Sequence, residues 1–145
     1  MSAALETQTT ESRSFSSISV GDKLPPLAIP LTRTLIVATA LASRDYQDVH
    51  HDPTLAAERG SPDIFMNILT TNGFVGRFVT DWTGPAARLR KVDIRLGAPN
   101  YPGDTMTIEG AVTAKDEAAG TFEVSLRGHN SIGDHVTGTV LVKLP

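Results

Sequence analysis

The second half of the chain alternates apolar and polar residues with the period of a β-strand. Val92, Ile94 and Leu96 alternate with charged residues, and the same two-residue period recurs in three later segments. The apolar positions of those segments are Met106, Ile108, Val112, Phe122, Val124, Leu126, Val136, Val140 and Val142. Alternation of this kind is typical of an antiparallel strand with one buried face. The pattern predicts four such strands, connected by tight turns in a meander.

A helical period precedes these strands. Between residues 64 and 82, apolar residues recur every three to four positions, as on one face of an amphipathic helix. They are Ile64, Phe65, Ile68, Leu69, Val75, Phe78, Val79 and Trp82. Two helix starts are possible, because Asp63 and Asn67 are both good N-caps. This is the one predicted helix that is long and apolar enough to cover the sheet.

Shorter elements are predicted in the first third of the chain. A proline pair at positions 25–26 keeps one segment extended and excludes it from the centre of a sheet. A Thr- and Val-rich stretch predicts a strand over residues 33–37, followed by a helical turn over residues 38–43. Asp52 as N-cap predicts a short helix over residues 52–60, with a proline at its first position and a glycine as its stop.

Together these elements predict an α+β domain over residues 20–145, in which an antiparallel sheet wraps around a long central helix. A chain of 145 residues is long enough for one domain with a substantial core. Residues 1–19 are rich in Ser, Thr and Glu and contain no apolar segment. We therefore expect a disordered N-terminal tail there, and not a targeting signal.

Composition and charge exclude several classes of function. A net charge of -3 argues against nucleic acid as the main partner, since binding phosphates requires a basic surface. The absence of cysteine excludes disulfides, thiolate chemistry and Cys-ligated zinc, and it fits a cytoplasmic protein. No apolar run approaches the roughly 20 residues that span a bilayer. We therefore expect neither nucleic-acid nor membrane binding.

The densest group of reactive side chains lies between residues 43 and 53, with three carboxylates and two of the four histidines. Asp45 and His50 are the best candidates for an acid–base pair, because imidazole titrates near neutrality and a carboxylate can hold the same water. Five positions place them about 140° apart on a regular helix, so a turn between them is required. The plainer alternatives are a capping or surface carboxylate for Asp45 and a packed or solvated imidazole for His50.

The remaining histidines, at positions 51, 129 and 135, are expected to be structural. Adjacent His50 and His51 with carboxylates nearby could suggest a metal site. No second ligand pair occurs at helix spacing, so no metal is expected. Which of Asp45 and His50 would act as the acid, and which as the base, is not decided by the sequence.

Three further sets of residues are candidates for substrate binding. Asn67 and the amides of Ile68 and Leu69 could stabilise an oxyanion, because a helix N-terminus offers free N–H groups, although a plain N-cap is the alternative. Gln47 could support the pair from a second layer, or could simply be a solvated loop residue. The best local basic run for a phosphate-bearing ligand is Arg88, Arg90, Lys91 and Arg95. A charged run on a strand is usually just its solvent face.

The 43–50 segment resembles the motif of MaoC-like (R)-specific enoyl-CoA hydratases, which have the hot-dog fold. That motif is Ser-Gly-Asp-x-Asn-Pro-(Ile/Leu/Val)-His, and this chain has Ser43-Arg44-Asp45-Tyr46-Gln47-Asp48-Val49-His50. The aspartate and histidine match at the family's spacing. Arg44 replaces Gly, Gln47 replaces Asn and Asp48 replaces Pro.

Further segments carry the same resemblance. The family's Arg-Ala-Pro-x-x-Pro-Gly-Asp-Thr segment is similar to Leu96-Gly97-Ala98-Pro99-Asn100-Tyr101-Pro102-Gly103-Asp104-Thr105. At the start of the central helix, where the family has Ala-His-Gly with the Gly amide facing the thioester oxygen, this chain has Phe65-Met66-Asn67. A third similar segment is Thr80-Asp81-Trp82. The resemblance implies that water is added across the α,β double bond of an enoyl-CoA, with no cofactor, because CoA is part of the substrate.

One branch of the family is more similar still, through the segments at residues 43–52, 63–70 and 133–137. It is the small subunit of actinobacterial heteromeric enoyl-CoA hydratases that act on the shortened steroid side chain. This similarity implies a bulky acyl group and a larger partner with a MaoC-like domain and a zinc-ribbon/OB-type domain, in a heterotetramer. The larger subunit is expected to recruit an aldolase. Two alternatives stay open, a hot-dog acyl-CoA thioesterase and a non-catalytic hot-dog scaffold subunit.

Overall fold

The computed structural model describes residues 11–145. After a short 3₁₀ turn at Phe15–Ser17, the chain forms one strand, three helices and four further strands. In order these are β1 (Lys23–Pro30), α1 (Arg33–Ala42), a 3₁₀ turn (Asp48–His50), α2 (Pro53–Glu58), α3 (Ile68–Thr83), β2 (Arg88–Leu96), β3 (Thr105–Asp116), β4 (Thr121–His129) and β5 (Asp134–Lys143). Within residues 11–145, no helix is long and apolar enough to cross a membrane.

The five strands form one antiparallel sheet in the order β1-β3-β4-β5-β2. All four strands predicted from the alternating pattern are present. The predicted four-strand meander is wrong at its first step, because β2 pairs with β5, with Val92 opposite Val140. The alternation specifies which face of a strand is buried but not which strand lies beside it. The connection from β2 to β3 includes the fully buried Asn100, whose carbonyl accepts a hydrogen bond from the Met66 amide, so it is not a surface hairpin.

The predicted strand over residues 33–37 is also wrong, because this segment is the first part of α1. The Thr32 hydroxyl accepts a hydrogen bond from the Leu35 amide at 3.0 Å and caps the helix. Ile36 and Ala40, one helical turn apart, are both fully buried. Cap and packing together outweigh the weak preference of Thr and Val for strands. The strand lies earlier, at β1, and occupies a sheet edge, as its prolines require.

The long helix α3 packs across one face of the sheet, as predicted. Its residues Val75 and Val79 are fully buried, and Phe78 contacts Gly110 of β3 so closely that a Cβ there would lie 3.1 Å from the ring. Trp82 meets Phe122 of β4 edge to face at 6.3 Å. The predicted fold class, a sheet wrapped around a central helix, therefore describes the structure.

Part of the predicted N-terminal tail is packed against the domain. Ile18 is buried, the Arg13 guanidinium lies 4.5 Å from the centre of the Trp82 ring, and the Arg13 amide donates to the Thr83 carbonyl at 2.9 Å. Residues 11–19 thus differ from the prediction, because a few specific contacts suffice to dock a polar segment whose composition suggests disorder. The rest of the predicted tail, residues 1–10, lies outside the described residues.

Candidate active site

The site begins where α1 ends. Arg44 has the left-handed backbone conformation, with φ of 58°. This reverses the chain, and the Asp45 amide donates back to the Ala40 carbonyl at 2.9 Å. Gln47 then starts the 3₁₀ turn Asp48–His50. The reversal and the turn supply the change of direction that the five-residue spacing of Asp45 and His50 requires.

Asp45 and His50 converge at the end of this turn. His50 Nε2 lies 3.4 Å from Asp45 Oδ2, and the His50 side chain is 8% exposed. The other ring nitrogen, Nδ1, donates to the Phe65 carbonyl at 2.7 Å, because a carbonyl can only accept. A neutral His50 therefore presents the lone pair of Nε2 toward the Asp45 carboxylate. The Phe65 ring also packs edge to face against the imidazole, with centroids 5.0 Å apart.

Asn67, the N-cap of α3, contacts the same carboxylate. Its Nδ2 donates to Asp45 Oδ2 at 3.1 Å and to Ser43 Oγ at 2.9 Å, while its Oδ1 accepts from the Thr70 amide at 3.0 Å. The helix therefore starts at the second of the two predicted caps. The side-chain amide is directed at Ser43 and Asp45, so Asn67 caps the helix and contacts the carboxylate of the pair at the same time. One of its hydrogen bonds holds Asp45, and those with Ser43 and Thr70 hold the Asn67 side chain itself.

The first amides of α3 lie beside this pair. In any helix the first N–H groups have no intrahelical acceptor, and Asn67 caps only the amide of Thr70. The amides of Ile68 and Leu69 are thus the available donors at this end of the helix. Ile68, Leu69 and Leu41 are about half exposed, and Tyr46 is 66% exposed. Apolar surface and a polar pair occur together here, as is usual for a ligand site.

The other predicted residues are more loosely connected to the pair. Gln47 contributes its backbone amide, which donates to Asp45 Oδ1 at 3.3 Å, while its side chain is exposed. The predicted basic run lies on the edge strand β2, with all four side chains exposed. Lys91 pairs there with Asp93 at 2.8 Å. No hydrogen bond or ion pair among residues 11–145 joins this run to Asp45 or His50.

The remaining histidines lie outside the pair. His51 Nε2 contacts the Tyr46 carbonyl at 3.2 Å. His135 is buried, with Nδ1 donating to the Ala98 carbonyl at 2.6 Å and Nε2 bonded to Thr71 Oγ1 at 2.8 Å. Burial lowers the pKa of His135 below its ordinary value. Within residues 11–145, no group of three or more His, Asp or Glu side chains could hold a metal ion.

Sequence reasoning missed three residues that support the pair. Ser43 receives the Asn67 amide, Phe65 fixes the His50 ring through its carbonyl, and the Thr70 hydroxyl donates to Asn67 Oδ1. Ser43 belongs to the motif and could have been singled out. A backbone carbonyl has no sequence signal, so the role of Phe65 emerges only from the fold.

Comparison with known proteins identifies the family. A family model described as MaoC like domain matches residues 17–130. The beta subunit of 3-oxo-4,17-pregnadiene-20-carboxyl-CoA hydratase from Mycobacterium tuberculosis is 52% identical over 121 residues, which cover 83% of this chain and 92% of that relative.

Solved structures of similar chains include a member of a complex and a hydratase. The ChsH1-ChsH2 complex from M. tuberculosis contains a chain that is 50% identical, with a TM-score of 0.84, and the match covers 88% of this chain and 98% of that chain. The (R)-hydratase from A. caviae involved in PHA biosynthesis is 25% identical with a TM-score of 0.81, covering 89% of this chain and 98% of that one.

Proposed function

The chain belongs to the MaoC like domain family, and we propose that it is the subunit of a heteromeric enoyl-CoA hydratase that carries the Asp45–His50 pair. One observation carries the proposal. His50 Nε2 and Asp45 Oδ2 meet at 3.4 Å, in a chain that is 52% identical to a CoA hydratase beta subunit. This spacing is too long for a strong direct hydrogen bond, and it allows both atoms to contact one water molecule.

The chemistry follows from the donors and acceptors in the site. The bond from Nδ1 to the Phe65 carbonyl leaves the Nε2 lone pair to accept a proton from water. As that proton leaves, the water oxygen bonds to the β-carbon and the electrons of the double bond move toward the thioester oxygen. The α-carbon then takes a proton from the Asp45–His50 pair, and the pair returns to its starting protonation state. Asp45, held by Asn67, orients the water.

The enolate that forms between these steps requires hydrogen-bond donors at the thioester oxygen. The amide of Ile68 is our candidate, with that of Leu69 beside it, because both lie in the first turn of α3 and the Asn67 cap accepts only from the amide of Thr70. The positive end of the helix dipole adds to this stabilisation. The side chain of Asn67 takes no part, since Asp45 and Ser43 use its N–H groups.

The phosphates of CoA need cationic contacts from this chain or from its partner. We assign them to the β2 basic run, with Arg88, Arg90 and Arg95 first, because Lys91 already pairs with Asp93. Removing one of these charges should raise KM for an enoyl-CoA and leave KM for the matching enoyl-pantetheine unchanged. Equal KM changes for both substrates would assign the phosphate contacts to the partner.

The partner and the substrate are proposed from the relatives. One M. tuberculosis relative is named as a beta subunit, and a similar M. tuberculosis chain is part of the ChsH1-ChsH2 complex. We propose that this chain pairs with a larger MaoC-like subunit in a heterotetramer, with an aldolase bound to the larger subunit. The acyl group proposed by the same analogy is a shortened steroid side chain. Size measurement of the co-expressed subunits tests the assembly, and two copies of each chain is the expected result.

The central test replaces each member of the pair in the assembled complex. Asp45→Asn and His50→Ala should each lower hydration of a steroid enoyl-CoA by at least about 100-fold, because each removes a group that handles the water. His51→Ala is the matched control, since its imidazole lies next to His50 but bonds to the Tyr46 carbonyl and not to Asp45. Near-normal activity of both pair variants would assign the chain to the scaffold class. Release of free thiol from the substrate would indicate a thioesterase.

A further inference from the structure

An ion pair connects the 3₁₀ turn that carries His50 to a residue outside the turn. Arg59 Nε and Nη2 contact the two carboxylate oxygens of Asp48 at 2.7 and 2.8 Å. The contact is bidentate and joins two parallel pairs of atoms, which is the most directional form of a charged contact. The Arg59 guanidinium also lowers the pKa of Asp48, so the carboxylate is ionised at neutral pH. Asp48 is the first residue of the turn and His50 is the last.

The backbone of Asp48 holds the other side of this turn. Its carbonyl accepts hydrogen bonds from the amides of His51, at 3.1 Å, and Asp52, at 2.8 Å. Asp52 is the N-cap of α2, and Arg59 is the residue at the C-terminal end of the same helix. Asp48, α2 and Arg59 therefore form a closed ring, in which the helix fixes the distance between both of its contacts to Asp48.

His50 is held independently on its opposite side. The Phe65 carbonyl accepts from its Nδ1, and the Phe65 amide donates to the Val49 carbonyl at 3.1 Å. These contacts set the plane of the ring and the position of the residue before it. They do not hold the first residue of the turn. The position of Nε2 relative to Asp45 therefore depends on how firmly the Asp48 end is held.

We propose that Asp48 and Arg59 are positioning residues that hold the His50 turn in the geometry needed for hydration. The inference rests on the proposed function, because it concerns the same pair. Neither side chain touches the reacting atoms. Their effect is on kcat, because a small shift of Nε2 misplaces the water without changing the contacts that bind CoA. The ion pair lies at the surface, with the Arg59 side chain 64% exposed, so salt should weaken it.

The test uses charge-removing and rigidifying variants in the assembled complex. Asp48→Asn and Arg59→Gln should each lower kcat by roughly three- to tenfold, with KM unchanged within about twofold. The double variant should be no worse than either single one, because all three lose the same contact. In the wild type, kcat at saturating substrate should fall toward the value of the single variants as salt concentration rises.

Asp48→Pro provides a rescue that a merely structural role would not predict. As the first residue of a helical turn, Asp48 has an amide that the turn does not use, and proline is suited to that position. The preceding Gln47 has ψ of 132°, the extended conformation that a following proline requires. Proline should hold the turn without the ion pair, so that kcat returns to within about twofold of the wild type and no longer depends on salt.

Arg127→Gln is the matched control, because it removes an exposed Arg–Asp pair between β4 and β5. It should leave kcat unchanged. A second readout does not depend on activity. Hydrogen exchange at the amides of His51 and Asp52, whose acceptor is the Asp48 carbonyl, should be faster in Asp48→Asn and Arg59→Gln than in the wild type.

The outcomes separate this inference from the proposed function. Three results would each overturn the positioning role. The first is an unchanged kcat in both single variants, and the second is a double variant whose loss of kcat equals the product of the two single losses. The third is failure of Asp48→Pro to restore kcat. If His50→Ala retains full activity, the proposed function fails instead. In that case, faster hydrogen exchange at the His51 and Asp52 amides of Asp48→Asn and Arg59→Gln would still show that the ion pair orders the turn. Unchanged exchange at these amides would overturn the ordering role of the ion pair as well.

Discussion

Arg44 is the residue at the site whose backbone conformation is most unusual for its type. Seven of residues 11–145 have a positive φ, and Arg44 is the one among them that is not a glycine. For a residue with a Cβ, the left-handed backbone conformation is about 1–2 kcal/mol less favourable than the right-handed one. Arg44 ends α1 and turns the chain toward Asp45, so the strain lies next to the proposed reacting group. The common family motif has glycine at this position.

Replacing Arg44 by glycine should therefore stabilise the protein. The gain from relieved strain exceeds the entropy cost of a more flexible unfolded chain, which leaves a net increase of about 0.5–1 kcal/mol in the free energy of unfolding. Chemical denaturation measures it directly. Gly103→Ala is the opposite control, because Gly103 has φ of 92° with no atom within 4 Å of an added Cβ. It should destabilise by a similar amount, and a destabilised Arg44→Gly would contradict the strain argument.

At the scale of elements, the start of α3 is the most informative. The sequence predicted the helix but left two starts open, and the choice depends on contacts that Asn67 makes with Ser43 and Asp45 from another part of the chain. The same residue thus caps the helix and anchors the proposed reacting group. A cap signal alone does not show this second task.

Two substitutions separate the two tasks of Asn67. Asn67→Ala should lower the free energy of unfolding by about 1–2 kcal/mol through loss of the cap, and should also lower kcat at least about tenfold. Asn67→Ser keeps an oxygen that can cap the helix but loses the donor to Asp45. It should recover most of the stability and little of the activity. Parallel recovery of both properties, measured by denaturation and hydration assays, would show that Asn67 acts only as a cap.

The sheet illustrates a different limit of prediction. The strand positions followed from the alternation of residues such as Phe122 and Val124, which is a local property. The pairing of β2 with β5 did not follow, because it depends on the buried course of the connection through Asn100. Residues 33–37 were misassigned because the Thr32 cap and the burial of Ile36 outweigh the strand preference of their side chains.

At the scale of the whole molecule, His135 links stability to pH. It lies on β5, connects α3 through Thr71 to the segment at Ala98, and is buried with no carboxylate partner among residues 11–145. Its pKa in the folded protein is lowered by burial. Below the ordinary histidine pKa of about 6.5, the unfolded chain therefore binds a proton that the folded chain does not. This contribution to stability is complete at higher pH and is lost as the pH falls below that value.

We therefore expect His135→Gln to flatten the pH dependence of stability. The free energy of unfolding of the wild type should fall more steeply than that of the variant between pH 7 and pH 5, by at most about 1.4 kcal/mol per pH unit. Urea denaturation at several pH values measures both slopes. His129→Gln, which removes an imidazole that is 35% exposed on β4, is the control for losing a histidine as such. Parallel slopes for wild type and His135→Gln would exclude His135 as the linked group.

The sequence by itself determined the fold class, the positions of the four later strands, the long helix and the family, and these predictions are confirmed. They follow from local periodicity, caps and a motif, all of which are properties of neighbouring residues. Only the tertiary structure decided that β2 lies beside β5, that Asn67 bonds Asp45, and that a carbonyl at Phe65 selects the His50 tautomer. These depend on contacts between groups far apart in the chain, and backbone atoms carry no residue-specific signal. The proposed roles of Asp45 and His50 remain predictions for the substitutions described above.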